Sequence, residues 1–424
     1  MKYAREHESN VRGYSRSFPS TFVSAAGAIV RDQDQKQYVD FLAGAGALNY
    51  GHNNTFLKMK LMDYIENNGV THGLDLVTEA KEHFIRVFNR YILEPRGLDY
   101  KLQFTGPTGT NAVEAAIKLA QISTGRSNII TFTNAYHGHT KGALRLTANE
   151  HYRKGLENEL NQFTSFLPYY GYVDGVFDSA DYLDQVLSDK GSGIDKPAAI
   201  ILETIQGEGG VNIAPINWLK KLRAITEKHG ILMIVDDIQV GCGRTGKFFS
   251  FEDAGIVPDM ITLSKSISAY GLPMSLLLIA PEHDVWEPGQ HTGTFRGNNL
   301  AFITAAEAIL RYWRNAEKFE QEISERSKML FTFLNRLKQD HPEIIRDVRG
   351  KGLIAGLEVM NETLAGDISQ LAFEYGLIIE SCGSENNVIK FLPPLNIELN
   401  NFKHGLELFK VAFEEVAEAI AVKV

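Results

Sequence analysis

The sequence predicts an α/β protein, with a large domain whose mostly parallel sheet lies between helices and a smaller α+β domain at the C-terminal end. Three observations carry this. From about residue 56 to 312, short β-branched apolar runs alternate with helical patterns or loops, as strands buried on both faces by covering helices do. After about residue 315 the order changes to one long charged amphipathic stretch, several short strands and a closing helix. The chain's 424 residues, 44% hydrophobic and 22% charged, suffice to bury one large core and a smaller one.

Taken in order, residues 1–54 form an N-terminal segment expected to pack with the small domain. Within it "GAIVRDQDQKQYVDF" reads as two strands around the turn-forming "RDQDQK". The following "GAGALNYG" lacks the third glycine of a dinucleotide fingerprint and does not open onto a helix. Residues 55–314 form the large domain. There "KLQFTG", "NIITFTNAY", "AAIILETI" and "ILMIVDDI" read as strands, with "TNAVEAAIKLAQIS" and "INWLKKLRAITEKHG" as helices. Residues 315–424 form the small domain. It begins with the bracing helix "AEKFEQEISERSKMLFTFLNRLKQD", continues through "GLIAGLEV", "GLIIESCG" and "VIKFLPPLNI", and closes on "FKHGLELFKVAFEEVAEAI".

A net charge of -9 without a basic stripe argues against nucleic acid and for small-molecule chemistry. The N-terminus has no apolar core of a leader, and the longest apolar runs fall short of the roughly 18 residues of a membrane helix, so a cytoplasmic protein is expected. Cys242 and Cys382 lie far apart, outside any C-x-x-C pattern, and read as reduced thiols.

Three places carry chemistry. In "FTGPTGTNAVEAAIKLA" a strand ending at Phe104 passes through a turn into a helix, so free N–H groups at Gly109 and Thr110, with the Thr108 and Thr110 hydroxyls, would cradle a phosphate; plain helix capping is the alternative. "ILMIVDDIQ" ends a hydrophobic strand in Asp236 and Asp237. Side chains alternate, so only one of the two faces a ligand at the sheet's C-terminal edge; Asp237 reads as the capping residue. Lys265 stands among serines in the apolar "MITLSKSISAYGLPMSLLLIA". A buried ammonium is relieved by pairing or by a depressed pKa that leaves a neutral, nucleophilic amine. An amine to condense with an aldehyde, an acid to keep a ring nitrogen protonated and a helix terminus for a phosphate are together what pyridoxal phosphate chemistry requires.

The ordered motifs "GPTGTNAVEAA", "NAYHGHTKGAL", "ETIQGEGGV", "IVDDIQVGCGRTG", "PDMITLSKSI", "HTGTFRGNN", "VRGKGL" and "KFLPPLNI" make the chain resemble the class III, fold type I, pyridoxal-phosphate-dependent aminotransferases over nearly its whole length. The resemblance implies a sheet of the seven-stranded type. It implies that Lys265 bonds the cofactor and carries the proton, that Asp236 pairs with the ring nitrogen and that Gln239 bonds the ring's phenolic oxygen. It further implies that Gly109 and Thr110 hold the phosphate, that Tyr136 stacks on the ring, and that Thr294 reaches the phosphate of a neighbouring subunit in a homodimer or tetramer with shared sites. "ESNVRGYSRSFP", "FLAGAGALNYGHNN" and "THGLDLVT" are closer still to the diaminobutyrate–2-oxoglutarate branch, which serves ectoine and siderophore biosynthesis and moves the amino group of glutamate onto aspartate 4-semialdehyde. Ornithine, GABA or β-amino acid transaminases, and an inactive scaffold, stay open as alternatives.

The chain departs from the family at several points. Glu208 matches a glutamate that gates an arginine, but the arginine's position is Lys390, a point charge without a bidentate fork. "DDIQ" replaces the commoner "DEVQ" at Asp237. Arg296 stands where many relatives have glycine, and would reach either substrate carboxylate or the partner subunit. Asn49 and Tyr50 lie in a loop that relatives place near substrate. His137 and His139 read as lining of the cofactor site rather than metal ligands, since no third ligand is identifiable. His72 and Asp75 read as entrance or loop-bonding residues.

Overall fold

A computed structural model describes residues 2–173 and 177–421. Its centre is a seven-stranded sheet in the order Lys101–Phe104, Leu276–Ile279, Met260–Leu263, Leu232–Asp236, Ala199–Leu202, Ile129–Phe132 and Thr164–Leu167. Leu276–Ile279 runs antiparallel to both its neighbours and the other six strands share one direction. The period of two sorts the strand residues cleanly. Ile200, Leu202, Met233, Val235, Ile261 and Leu263 face one core, where the helix Ile216–His229 contributes Trp218, Leu219 and Leu222. Ala199, Ile201, Leu232, Ile234 and Met260 face the other. There the helix Gly109–Thr124 packs with Ala115, Ala116 and Ala120, whose small side chains let it lie close on the strands.

That alternation places the chemistry. Glu203 follows Ala199 and Ile201, and Asp236 follows Leu232 and Ile234, so both acids leave the C-terminal edge of the sheet toward the N-terminus of helix Gly109–Thr124. Asp237 takes the opposite side. Its Oδ2 accepts from Ser250 N at 3.1 Å, and burial raises its pKa to about 7.

Two further sheets flank the centre. Phe22–Ala26, Ile29–Asp32 and Gln37–Asp40 form an antiparallel set to which Leu377–Ile378 adds in parallel, tying the N-terminal segment to the C-terminal part of the chain. Ile345–Lys351, Ile354–Val359, Val388–Phe391 and Glu380–Cys382 form an antiparallel sheet in that order. The helix Ala316–Asp340 runs as a 25-residue brace, burying Phe319, Ile323, Leu330, Leu334 and Leu337 at helical spacing. The glycine-rich loop folds into the tight turn Ala43–Gly46, with left-handed backbone at Ala43, Gly44 and Ala45. Among the described residues no helix is long and apolar enough to cross a membrane.

Candidate active site

A cleft of about 290 Å³ opens at the C-terminal edge of the central sheet, lined among others by Gly109, Thr110, Tyr136, Gln239, Asp236 and Lys265. Residues spread over more than 150 positions of sequence meet there because each stands at a strand end or in the loop that follows it.

Lys265 stands two residues past the end of the strand Met260–Leu263 and opens a short 3₁₀ turn, Lys265–Ser268, with φ at 50°. Left-handed backbone at a lysine costs on the order of 1 kcal/mol. The surrounding turn holds it through Ser264 Oγ, which donates to Met274 O at 2.9 Å, and Ser266 Oγ, which donates to Gly46 O at 2.7 Å. No group among the described residues accepts a hydrogen bond from Lys265 Nζ. Burial lowers its pKa, opposed by the nearby Glu208 and reinforced by Lys390, which shifts the population toward the free amine.

Asp236 is 4% exposed, and its carboxylate is held from three directions. Thr262 Oγ1 donates to Oδ1 at 3.1 Å, Ile238 N to Oδ1 at 3.2 Å, and His137 Nδ1 bonds Oδ2 at 2.6 Å. The imidazole is buried, and its Nε2 has no partner among the described residues. Asp236 and His137 thus act as one unit, with the ring behind the carboxylate fixing its rotamer. The pairing places His137 in the lining of the cleft, and among the described residues no cluster of three or more His, Cys, Asp or Glu could hold a metal ion.

At the N-terminus of helix Gly109–Thr124 the backbone N–H groups of Gly109 and Thr110 find no acceptor among the described residues, and Thr108 gives no side-chain cap. The threonine hydroxyls differ from expectation. Thr108 Oγ1 donates to Asn111 Oδ1 at 2.8 Å, and Thr110 Oγ1 lies 2.7 Å from Thr140 Oγ1, which donates to Glu114. The cradle is therefore mainly backbone. Close approach is built in, since a Cβ at Gly138, whose φ is 127°, would lie 2.4 Å from Thr110 Oγ1.

A flat, anionic, ring-bearing cofactor fits this set. Unused N–H groups at one end would suit a phosphate, a fixed carboxylate at the other would suit a protonated ring nitrogen, and an unpaired amine stands between. Gln239 adds a buried Oε1 without a partner, while its Nε2 donates to Glu208 Oε1 at 2.9 Å and Ala45 O at 3.1 Å.

Two acids, Glu203 in the lining of the cleft and Glu380 beside Lys390, escape a reading of the sequence by motif alone. Glu203 is 7% exposed, and its Oε1 accepts from Tyr136 N at 2.9 Å. Burial first, and then the neighbouring Asp236, raise its pKa well above the usual carboxylate range. Its signal was the one used for Asp236, an acid ending an apolar strand. Glu380 has no such signal. It neighbours Lys390 only because the strands Glu380–Cys382 and Val388–Phe391 pair in that register.

Lys390 is fully buried behind Glu208. Its Nζ lies 2.7 Å from Glu208 Oε1 and 3.1 Å from Glu380 Oε1. Despite burial, Lys390 and the hydrogen bonds hold Glu208 down at about 2, whereas burial and the negative Glu208 keep Glu380 above its usual value.

The remaining candidates lie elsewhere. Asn49 is fully buried as a structural link, Nδ2 donating to Cys242 O at 3.0 Å and Oδ1 accepting from Arg244 at 2.6 Å. Tyr50 is 3% exposed, stacked on Tyr312 and accepting from Trp313 Nε1 at 2.7 Å. Neither lines the cleft, because the tight turn before them points both side chains into the core. Arg296 is paired with Asp75 and also donates to His291 O, while His72 packs edge-on against Phe295. Thr294 is exposed on the same loop and away from the cleft of its own chain.

Fold and cleft together bring a buried amine, a fixed carboxylate and free helix N–H groups to one edge of the central sheet. A family model described as aminotransferase class-III matches residues 12–413, and the chain belongs to that family. More particularly, it is 51% identical to a diaminobutyrate–2-oxoglutarate transaminase of Bordetella parapertussis, over 99% of this chain and 96% of that one. It is 52% identical to one of Vibrio cholerae, over 97% and 99%, and 48% identical to one of Halomonas elongata, over 96% and 97%. Among solved structures it resembles the ornithine aminotransferase of Toxoplasma gondii at 26% identity, with a TM-score of 0.84 over 99% of this chain and 95% of that one. A transaminase from the marine bacterium Virgibacillus shares the fold at a TM-score of 0.87, 99% of each chain covered and 22% identity.

Proposed function

We propose that this protein is a cytoplasmic, pyridoxal-phosphate-dependent aminotransferase that converts L-glutamate and L-aspartate 4-semialdehyde to 2-oxoglutarate and L-2,4-diaminobutyrate in two alternating half reactions. What supports the reading most is the unpaired Lys265 amine in a cleft whose other end is closed by the Asp236–His137 pair. The choice of substrates rests on the near 50% identity to diaminobutyrate–2-oxoglutarate transaminases over almost the whole chain. When bound, the cofactor supplies an aldehyde and a ring that draws electrons from the substrate's amino-bearing carbon. The chain's residues supply the rest. Gly109 and Thr110 N–H groups hold the phosphate, and Tyr136 covers a ring face. Asp236, fixed by His137 and Thr262, holds a proton on the ring nitrogen, and Gln239 bonds the phenolic oxygen. Lys265 Nζ takes the proton from the amino-bearing carbon and returns it one position along. Glu208 over Lys390 forms the carboxylate gate. Two copies of the chain share the site, with Thr294 and Arg296 on the exposed loop directed to the partner.

The test is an assay of the purified protein with glutamate as donor. Formation of 2,4-diaminobutyrate and 2-oxoglutarate in equal amounts is expected from aspartate 4-semialdehyde. Equal or faster turnover with ornithine, 4-aminobutyrate or β-alanine as the ω-amine would move the assignment to another member of the family.

A further inference from the structure

Register places Glu203 beside Asp236. Leu202 pairs with Val235 in the parallel strands Ala199–Leu202 and Leu232–Asp236, so the next two residues along the edge, Glu203 and Asp236, stand side by side, and both line the cleft. They do different things there. Asp236 is gripped by Thr262, Ile238 N and His137, whereas Glu203 gives an oxygen to one backbone amide, accepting from Tyr136 N at 2.9 Å.

The backbone on either side of Tyr136 is fixed by other means. Ala135 N donates to Phe132 O at 3.2 Å, Ala148 N to Ala135 O at 2.8 Å, and His137 N to Thr147 Oγ1 at 3.0 Å. The same loop is joined to the strand end that carries Glu203 without help from its carboxyl. Gln206 Nε2 donates to Thr133 O at 2.7 Å, and Tyr169 donates from its N to Thr133 Oγ1 at 3.0 Å and from its hydroxyl to Glu203 O at 2.7 Å. What the Glu203 side chain adds is the hold on the Tyr136 amide. The ring follows that amide, since its hydroxyl has no partner among the described residues and its contacts with His139 and Tyr152 are edge-on.

We infer that Glu203 is a positioning residue for the reaction: by holding the Tyr136 amide, its carboxyl oxygen sets the tilt at which the Tyr136 ring covers the cofactor. This rests on the aminotransferase reading of the same cleft. Without that oxygen the amide is left buried and unpaired, which is unfavourable enough for the peptide to turn toward another acceptor. The ring turns with it. The role needs an acceptor, and an amide oxygen accepts from N–H as a carboxyl oxygen does.

The experiment compares Glu203→Gln, which keeps an acceptor, with Glu203→Met, which fills similar volume without one. Three quantities are read: visible circular dichroism per bound cofactor, which reports how the cofactor ring sits against its aromatic neighbour, the dissociation constant for pyridoxal phosphate after reconstitution, and melting of the cofactor-free protein. Glu203→Met should lose much of the dichroic signal and hold the cofactor about tenfold more weakly, while Glu203→Gln stays near the wild type in both. A merely structural role would lower the melting temperature and leave the dichroism per bound cofactor unchanged, and that result overturns the inference. So does Glu203→Gln as impaired as Glu203→Met. In a Tyr136→Ala background Glu203→Met should add little to the loss of cofactor affinity, because the ring it positions is gone; additive losses overturn the inference. Should Glu203→Met fail to fold, Glu203→Ala takes its place with the same expectations. Wild-type protein that binds no pyridoxal phosphate overturns the functional reading as well, whereas wild-type binding with unaltered variants overturns the inference alone.

Discussion

Replacing Lys390 by methionine keeps the length and apolar stem of the side chain but removes the cation between Glu208 and Glu380, 2.7 and 3.1 Å from them. The Glu208 carboxyl is held at about 2 against an ordinary 4.5, a difference that converts to about 3 kcal/mol of stability. That agrees with the roughly 3–5 kcal/mol expected when one member of a buried pair is removed and the other is left. The folded-state value is depressed, so this contribution is complete above about pH 4.5 and is lost as pH falls toward 2. In Lys390→Met the two carboxylates protonate readily instead. The variant should therefore melt roughly 3–6 °C below the wild type near pH 7.5. The gap should narrow as pH is lowered, with Lys390→Arg keeping most of the stability. Melting followed by circular dichroism across that pH range is the assay. A variant as stable as the wild type at pH 7.5, or a gap that widens in acid, would refute the reasoning about the cluster.

Other perturbations test the cofactor end of the cleft. Asp236→Asn keeps the shape of the residue but removes the charge bonded by His137 at 2.6 Å. It should lower kcat by about 10²–10³-fold, in the range of losing one preorganised electrostatic group, while the melting temperature stays within a few degrees. Steady-state kinetics beside a melting curve separates the two effects. Gly138→Ala places a Cβ 2.4 Å from Thr110 Oγ1 on a backbone with φ at 127°, so it should disturb the turn beside the phosphate cradle. Weaker retention of cofactor on dialysis, read from absorbance, is the expected result.

Much of this arrangement is legible in the amino-acid order because it follows from period and edge. Apolar runs of four or five residues gave the strands, and the acid closing one of them gave Asp236. The same rule applied to "AAIILE" would have singled out Glu203. What the order of residues hides is lateral. Nothing in "GLIIESCG" and "VIKFL" says that Glu380 lies opposite Lys390, because register depends on how two strands slide against each other. Asn49 and Tyr50 show a second blind spot. Their loop does run near the site, but the left-handed turn at Ala43 to Ala45 sends both side chains into the interior, toward Arg244 and Trp313. For the same reason His137 could be read as a lining residue from "YHGH" but not as the partner of Asp236, 99 positions away.

The central claim is that the Lys265 amine, lowered by burial and left without a hydrogen-bond acceptor, is the group that bonds the cofactor. Borohydride reduction of the holoenzyme followed by peptide mass mapping reads this directly. The account predicts the pyridoxyl phosphate mass on the peptide carrying Lys265, and its loss in Lys265→Ala. A label on Lys390 or another lysine instead, or holoenzyme that carries no label after reduction, would contradict it.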